Sequence, residues 1–286
     1  MLRKPKWFKK HIQMGPGYEK VRTLITKSGL NTVCKEANCP NIWDCFSRKT
    51  ATFLIMGSKC TRNCGFCAIP FGIPFPPDPF EALKIANAAK NMGLDYVVIT
   101  SVTRDDLFDG GAIFFSNTIK KIRDKIPGIV VEVLIPDFKG DKQAIKTVAD
   151  ANPDVINHNI ETCKRLYDVV RPQAVYNRSI ELLKQIKLLN PTISIKSGMM
   201  LGLGEKPQEI DKTFKDLLNA GCRILTLGQY LQPTKNHIPI ARYIHPEEFD
   251  ALKKKALGMG FLRVASGPFV RSSYKAKDLY NNEGKI

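Results

Sequence analysis

Seven short runs rich in β-branched and other apolar residues recur along this chain: ATFLIMG at 51–57, YVVITSV at 96–102, IVVEVLIP at 129–136, PDVINHNI at 153–160, TISIKSGMM at 192–200, RILTLGQY at 223–230 and FLRVASGP at 261–268. Between most of them lie stretches with apolar residues at three- and four-residue spacing, which predict helices over 79–92, 112–126, 140–151, 175–190, 207–220 and 246–259. Strand followed by helix, repeated, requires parallel strands joined by crossovers. Strands that are apolar on both faces require a sheet covered on both sides. The expectation is an α/β fold, a partial (β/α) TIM-like barrel of about six to seven units with N-terminal and C-terminal extensions. Function in such a barrel belongs on the loops after the C-terminal ends of the strands. Three regions follow: an N-terminal extension over 1–50, with a helix signal from about Tyr18 to Ser28, a barrel core over 51–266 and a tail over 267–286.

Eight cysteines are present, and six of them fall between residues 34 and 67. Such crowding fits metal ligands better than a disulfide framework and implies a reducing, cytoplasmic compartment. No apolar run is long enough for a membrane helix. The start MLRKPKWFKK lacks the apolar core of a secretory signal, although a short basic targeting segment stays open. The formal charge of +17 predicts attraction to acidic partners that weakens with salt. Because the basic residues are dispersed, most read as solvated helix faces.

CTRNCGFC, residues 60–67, places Cys60, Cys64 and Cys67 just after the first core strand, where barrel chemistry is expected. Thiolates select zinc or iron–sulfur clusters. Structural zinc takes four ligands, whereas three in one tight loop leave a coordination position open for chemistry. A zinc site borrowing a distant histidine is the plainer alternative. Cys34, Cys39 and Cys45 in CKEANCPNIWDC form a second trio whose spacing, interrupted by Pro40, cannot fall on one helical face, so it is expected to converge from a loop. Cys163 and Cys222 read as small buried hydrophobes. The tryptophans and phenylalanines read as core, and His158 as a hydrogen-bonded structural residue.

C-x3-C-x2-C with an aromatic, Phe66, before the last cysteine resembles the radical S-adenosylmethionine (SAM) enzymes. The wider set, namely the first trio, CPNIWDC, CTRNCGFCAI, GLDYVVITSVTRDDLFDGGA, PDFKGD, NHNIET, MLGLGE, LTLGQYLQPT and ASGPFVRSSYKA, resembles the lipoyl synthase family over roughly residues 7–280. That resemblance implies two 4Fe-4S clusters with SAM as a further cofactor. Cys60, Cys64 and Cys67 would carry the SAM-binding cluster. Cys34, Cys39 and Cys45 would carry an auxiliary cluster completed by Ser273 in Arg271-Ser272-Ser273-Tyr274. In the family, radicals made from two SAM molecules abstract hydrogen from the sixth and eighth carbons of a protein-bound octanoyl chain, and the auxiliary cluster is consumed as the sulfur source.

The same resemblance implies SAM contacts at Gly110 and Gly111, through backbone only because Ala112 stands where many members have glutamate, and at Asn157, Asn159, Glu161 and Arg171. Gly202-Leu203-Gly204 is too short for a dinucleotide fingerprint and reads as a tight turn. The implied partners are octanoylated carriers (lipoyl domains of 2-oxoacid dehydrogenases or the glycine-cleavage carrier protein), reduced ferredoxin or flavodoxin, and an iron–sulfur carrier for repair. Neither membrane nor nucleic acid is expected as a partner. Two other readings stay open, a radical SAM tRNA methylthiotransferase and a zinc-stabilised nucleic-acid-binding protein. No appended RNA-binding domain is visible to favour the first.

Overall fold

The structure, a computed structural model, describes residues 3–9 and 16–281; Lys10, the first two residues of the basic start and the end of the expected tail (282–286) lie outside the described residues. In chain order the elements are α1 (Pro16–Lys27), β1 (Asn31–Thr32), α2 (Val33–Glu36), α3 (Ile42–Ser47), β2 (Thr52–Ile55), α4 (Glu81–Met92), β3 (Tyr96–Ser101), α5 (Ala112–Lys125), β4 (Val130–Leu134), α6 (Lys142–Asp150), β5 (Val155–Asn157), α7 (Tyr167–Val170), α8 (Tyr176–Leu189), β6 (Ser194–Leu201), α9 (Pro207–Asn219), β7 (Ile224–Gln229), α10 (Pro246–Met259), β8 (Arg263–Gly267) and α11 (Ala276–Asn281). The strands form one eight-stranded sheet in sequence order. β2 to β8 pair in parallel, and β1 alone runs antiparallel, against β2.

Local chemistry sets the helix ends. The Asp141 carboxylate accepts from the amides of Gln143 (2.8 Å) and Ala144 (3.2 Å), capping α6. Proline opens both α9 and α10, where its missing N–H costs nothing. α4 and α10 end on Gly93 and Gly260 in the left-handed region. The sheet curls, because α11 touches both flanks of it: Ala276 packs with Tyr96 and Val98, whereas Leu279 packs with Ile224, Ala265 and Val270.

All seven apolar runs are strands and all six core helices are present. The N-terminal extension differs from expectation. Its first trio does not hang on an open loop, since Cys34 lies in α2 and Cys45 in α3, with Cys39 between them. Thr32 accepts from the Lys35 amide at 3.4 Å and so helps to start that first helical turn. Several phenylalanines also depart from the expected core role, with Phe71, Phe75, Phe80 and Phe108 exposed. No helix among the described residues is long and apolar enough to cross a membrane.

Candidate active site

The loop after β2 is anchored at Cys60. Its amide donates to the Pro70 carbonyl (2.9 Å), its carbonyl accepts from Gly72 (3.0 Å), and its sulfur accepts from the amides of Thr103 (3.3 Å) and Arg62 (3.4 Å). Beneath the loop, Arg62 Nε donates to Asp105 (2.7 Å) and Nη2 to Asp137 (2.7 Å), while Asp137 also accepts from Arg178 Nε (2.9 Å). Both Arg62, 4% exposed, and Asp137, 0% exposed, are out of water, so each charge depends on the other. Burial alone would raise the Asp137 pKa. The hydrogen bonds and charge of Arg62, with His158 and Arg178, prevail and hold it well below the usual carboxylate range. This network fixes the span between Cys60 and Cys64 to the loops after β3 and β4. Desolvation, joined by the charge of the neighbouring cysteines, pushes the Cys67 thiol up to about 12, and desolvation likewise raises Cys64.

Around this loop, buried polar atoms lack partners among the described residues. They are both amide atoms of Asn157, Oδ1 of Asn159, Oγ of Ser101, Oγ1 of Thr162 and Nε of Arg171. Such orphans are costly unless a ligand satisfies them. Asn157 ends β5, Ser101 ends β3, and Asn159 lies two residues past β5, at the strand ends where a barrel works. Gly198 makes room for this group, because a Cβ there would lie 2.7 Å from both Asn159 Oδ1 and Thr226 Oγ1.

Arg171 donates to the Asn159 carbonyl (3.0 Å) and to the Tyr167 hydroxyl (2.8 Å). Tyr167 donates to Ser179 (3.0 Å), and Ser179 lies 2.9 Å from His158 Nε2. A carbonyl can only accept, so His158 Nδ1, 2.8 Å from the Ile135 oxygen, carries the ring proton. Both nitrogens are thereby used, in keeping with the structural role expected of His158. Glu161 adopts φ 66°, the left-handed region a non-glycine residue rarely occupies, and desolvation raises its carboxyl pKa.

Gly110 and Gly111 both have positive φ, and a Cβ on Gly111 would collide with the Met56 sulfur. Their amides are committed, Gly110 to the Leu107 carbonyl (3.1 Å) and Gly111 to Asp109 Oδ1 (2.9 Å), and the Gly111 carbonyl accepts from Phe114 (3.1 Å) and Phe115 (3.4 Å), so the doublet can offer a ligand only the Gly110 carbonyl. Gly202-Leu203-Gly204 is a turn, held by Glu205, whose carboxylate accepts from the amides of Gly202 and Leu203 (2.5 and 2.9 Å).

The first trio is drawn to the same end through the tail. Asn41 Nδ2 donates to the Phe269 carbonyl (2.7 Å), and Asn159 Nδ2 donates to Ser272 Oγ (2.9 Å). Burial lowers the Arg271 pKa, and the charges of Cys39 and Glu161 oppose that, so one guanidinium lies in the field of both groups. Tyr274 is raised above its ordinary value by burial, then by its hydrogen bond to Asp44 and by the charges of Asp44 and Cys45. Arg271 and Tyr274 flank the pair Ser272-Ser273, so the tail serines are carried to the side of the trio. Desolvation, with Cys39, pushes Cys34 up to about 12.

Comparison with known proteins matches residues 54–217 to the radical SAM superfamily. Lipoyl synthase of Desulfotalea psychrophila is 55% identical over 97% of this chain and 93% of its own length. Lipoyl synthase of Rubrobacter xylanophilus is 54% identical over 96% of this chain and 86% of its own. The chain belongs to the lipoyl synthase family. Among solved structures, that of HydG, a maturase of the [FeFe]-hydrogenase, superposes with a TM-score of 0.61 at 13% identity, covering 86% of this chain and 63% of that one, a likeness of fold.

As a lipoyl synthase the chain is a radical SAM sulfurtransferase whose cofactors are 4Fe-4S clusters and SAM. The donor set fits them. None of the eight cysteines is in a disulfide, and Cys34 and Cys67 are buried deeply enough that an unmetallated thiolate would be strongly disfavoured there. Among the described residues no three His, Cys, Asp or Glu side chains gather around a single metal ion. A cubane needs no such gathering, because its irons occupy separate corners. The lipoyl synthase motifs did not point to Arg62, Asp105, Asp137 and Arg178, nor to His237, whose ring meets the Cys67 carbonyl at 2.9 Å. Partners so distant in sequence leave no local pattern, although Arg62 of CTRNCGFCAI, Asp105 of TRDD and Asp137 of PDFKGD each sit inside quoted motifs.

Proposed function

We propose that this chain inserts sulfur at the sixth and eighth carbons of an octanoyl-lysine on a lipoyl carrier protein, with Cys60, Cys64 and Cys67 holding the SAM-binding cluster and Cys34, Cys39, Cys45 and Ser273 holding the auxiliary one. The single observation that carries the reading is the tail's double attachment, with Arg271 in the field of both Cys39 and Glu161 and Ser272 bonded to Asn159. It supports one chamber bounded by both trios. When bound, the cofactors supply an electron, a carbon-centred radical able to take hydrogen from unactivated C–H bonds, and sulfur.

The chain's own residues bind, orient and exclude water. Asn157, Asn159 and Arg171 offer unsatisfied polar atoms for the polar parts of SAM. Gly110 offers a carbonyl acceptor for an ammonium group, while the Gly111 carbonyl is taken by the amides of Phe114 and Phe115. Burial raises the Glu161 pKa and the charge of Arg171 opposes the rise, so a ligand cation beside it would further favour its carboxylate form. An oxygen ligand at Ser273 would bind iron more weakly than thiolate, which suits a cluster that is taken apart. Among the described residues the Ser273 hydroxyl has no hydrogen-bond partner, whereas that of Ser272 is occupied by Asn159.

On this reading 1–50 is the auxiliary-cluster extension, 51–266 the radical SAM core and 267–286 a tail that links them. The acceptors are lipoyl domains of 2-oxoacid dehydrogenases or the glycine-cleavage carrier protein. The electron donor is a reduced ferredoxin or flavodoxin, an iron–sulfur carrier restores the spent cluster, and the setting is the cytoplasm. The test is anaerobic incubation with octanoylated carrier, SAM and a reductant. The expected product is a carrier whose mass has gained two sulfurs; with Ser273→Ala the yield falls while SAM cleavage continues. A wild-type chain that cleaves SAM but never adds sulfur to the carrier overturns the proposal.

A further inference from the structure

The connection from β7 to α10, residues 230–245, contains no helix or strand, and loops of that length in a compact fold generally have a task. Its two ends are tied to the barrel. The Tyr230 amide donates to the Leu201 carbonyl of β6 (2.8 Å), and its hydroxyl donates inward to the Ile238 carbonyl (2.7 Å). Gln229 donates to the Arg242 carbonyl (3.2 Å) and accepts from the Ile244 amide (2.8 Å), and the Ala241 amide donates to the Gly202 carbonyl (2.8 Å). Its middle reaches across to the cysteine loop. The Ile238 amide donates to the Gly65 carbonyl (3.1 Å), and His237 Nε2 lies 2.9 Å from the Cys67 carbonyl. That oxygen only accepts, so Nε2 carries the proton. In the neutral ring Nδ1 then accepts from the Thr234 hydroxyl, 2.8 Å away. Ile238 packs with Val170, Leu203 and Tyr230, and a Cβ on Gly65 would lie 2.7 Å from its Cδ1, so glycine lets the two loops meet.

We propose that residues 230–245 are a clasp on the cysteine loop and that His237 is its positioning residue, setting where Cys67 stands. The two ends of the cysteine loop are held differently. Cys60 is fixed by Thr103 and by the Arg62 network. Cys67 is held by two local bonds, its amide to the Cys64 carbonyl (3.1 Å) and the Ile69 backbone to its sulfur, and across the loops by His237. Removing the imidazole frees that end. The proposal rests on the reading that Cys60, Cys64 and Cys67 hold a cluster, but the clasp itself can be tested without metal.

In the metal-free full chain, hydrogen–deuterium exchange over 60–67 is expected to speed up about tenfold in His237→Ala, the scale of one lost hydrogen bond, while exchange over 263–267 stays unchanged. His237→Gln, whose amide can donate from the position of Nε2, is expected to restore most of the protection. In a chain also carrying Cys34→Ala, Cys39→Ala and Cys45→Ala, reconstituted anaerobically, release of iron to a chelator is expected to quicken about tenfold with His237→Ala and to recover with His237→Gln. Unchanged exchange over 60–67, a glutamine variant no better than alanine, or equal iron release with and without the imidazole overturns the proposal. If the chain with an intact Cys60–Cys67 loop binds no iron at all, the cluster reading fails, and the exchange result still decides whether the clasp exists.

Discussion

Asp137 shows how much of the site depends on a single buried charge. It faces Arg62 and Arg178 at once, and removing it leaves Arg62, 4% exposed, with Asp105 as its one remaining carboxylate partner. Breaking such a pair from one side costs about 3–5 kcal/mol. Because Asp105 still faces Arg62, Asp137→Asn is expected to lower stability by the lower end of that range, about 3 kcal/mol, read as the shift in the urea midpoint at constant slope. A loss near zero would mean that water reaches the pair. His158 adds a pH dependence. Desolvation, with the charge of Arg171, pushes its pKa from 6.5 down to about 4. On acidification the unfolded chain therefore takes up the proton first. Stability is complete above pH 6.5, declines as pH falls toward 4, and loses about 3 kcal/mol over that window. Unfolding free energy against pH should show that slope, and His158→Asn, which keeps a donor for Ile135, should flatten it.

At the scale of elements, the tail and β7 meet at Gly228, where a Cβ would collide with the Val270 carbonyl and come within 3.2 Å of Arg271 Nη1. Gly228→Ala is expected to cost about 1–3 kcal/mol and to loosen the tail. Limited proteolysis followed by mass spectrometry should then show faster cutting within 268–281, and a wild-type cleavage pattern would show that the tail is held elsewhere. The elements that sequence alone revealed share one property. β2 to β8 each fall on an apolar run of seven to nine residues, and the core helices carry a readable period over nine to fourteen residues. β1, α2, α3, α7 and α11 are two to six residues long, too short for a period, and they are stabilised by long-range contacts such as Asn41 to Phe269. The site divides likewise. Cysteine trios are legible because their members are neighbours in the chain. Arg62 with Asp137, or His237 with Cys67, are 75 and 170 residues apart, so only the fold reveals them.

For the whole molecule, the formal charge of +17 and the expected acidity of a lipoyl carrier make encounter electrostatic. kcat/KM toward an octanoylated carrier is expected to fall about tenfold as ionic strength rises from ~0.01 to ~0.15 M, while turnover at saturating carrier changes little. A flat profile would leave the charge without a part in catalysis. The central claim is that two cysteine trios at one end of a partial barrel each hold their own cluster. The measurement that reaches it most directly is iron and sulfide per chain in anaerobically purified protein, with Mössbauer spectra, for wild type and for each trio replaced by alanine. The account predicts two clusters' worth in wild type and one in either variant, with different spectra for the two that remain. One cluster's worth in wild type, lost entirely with either trio, would contradict it.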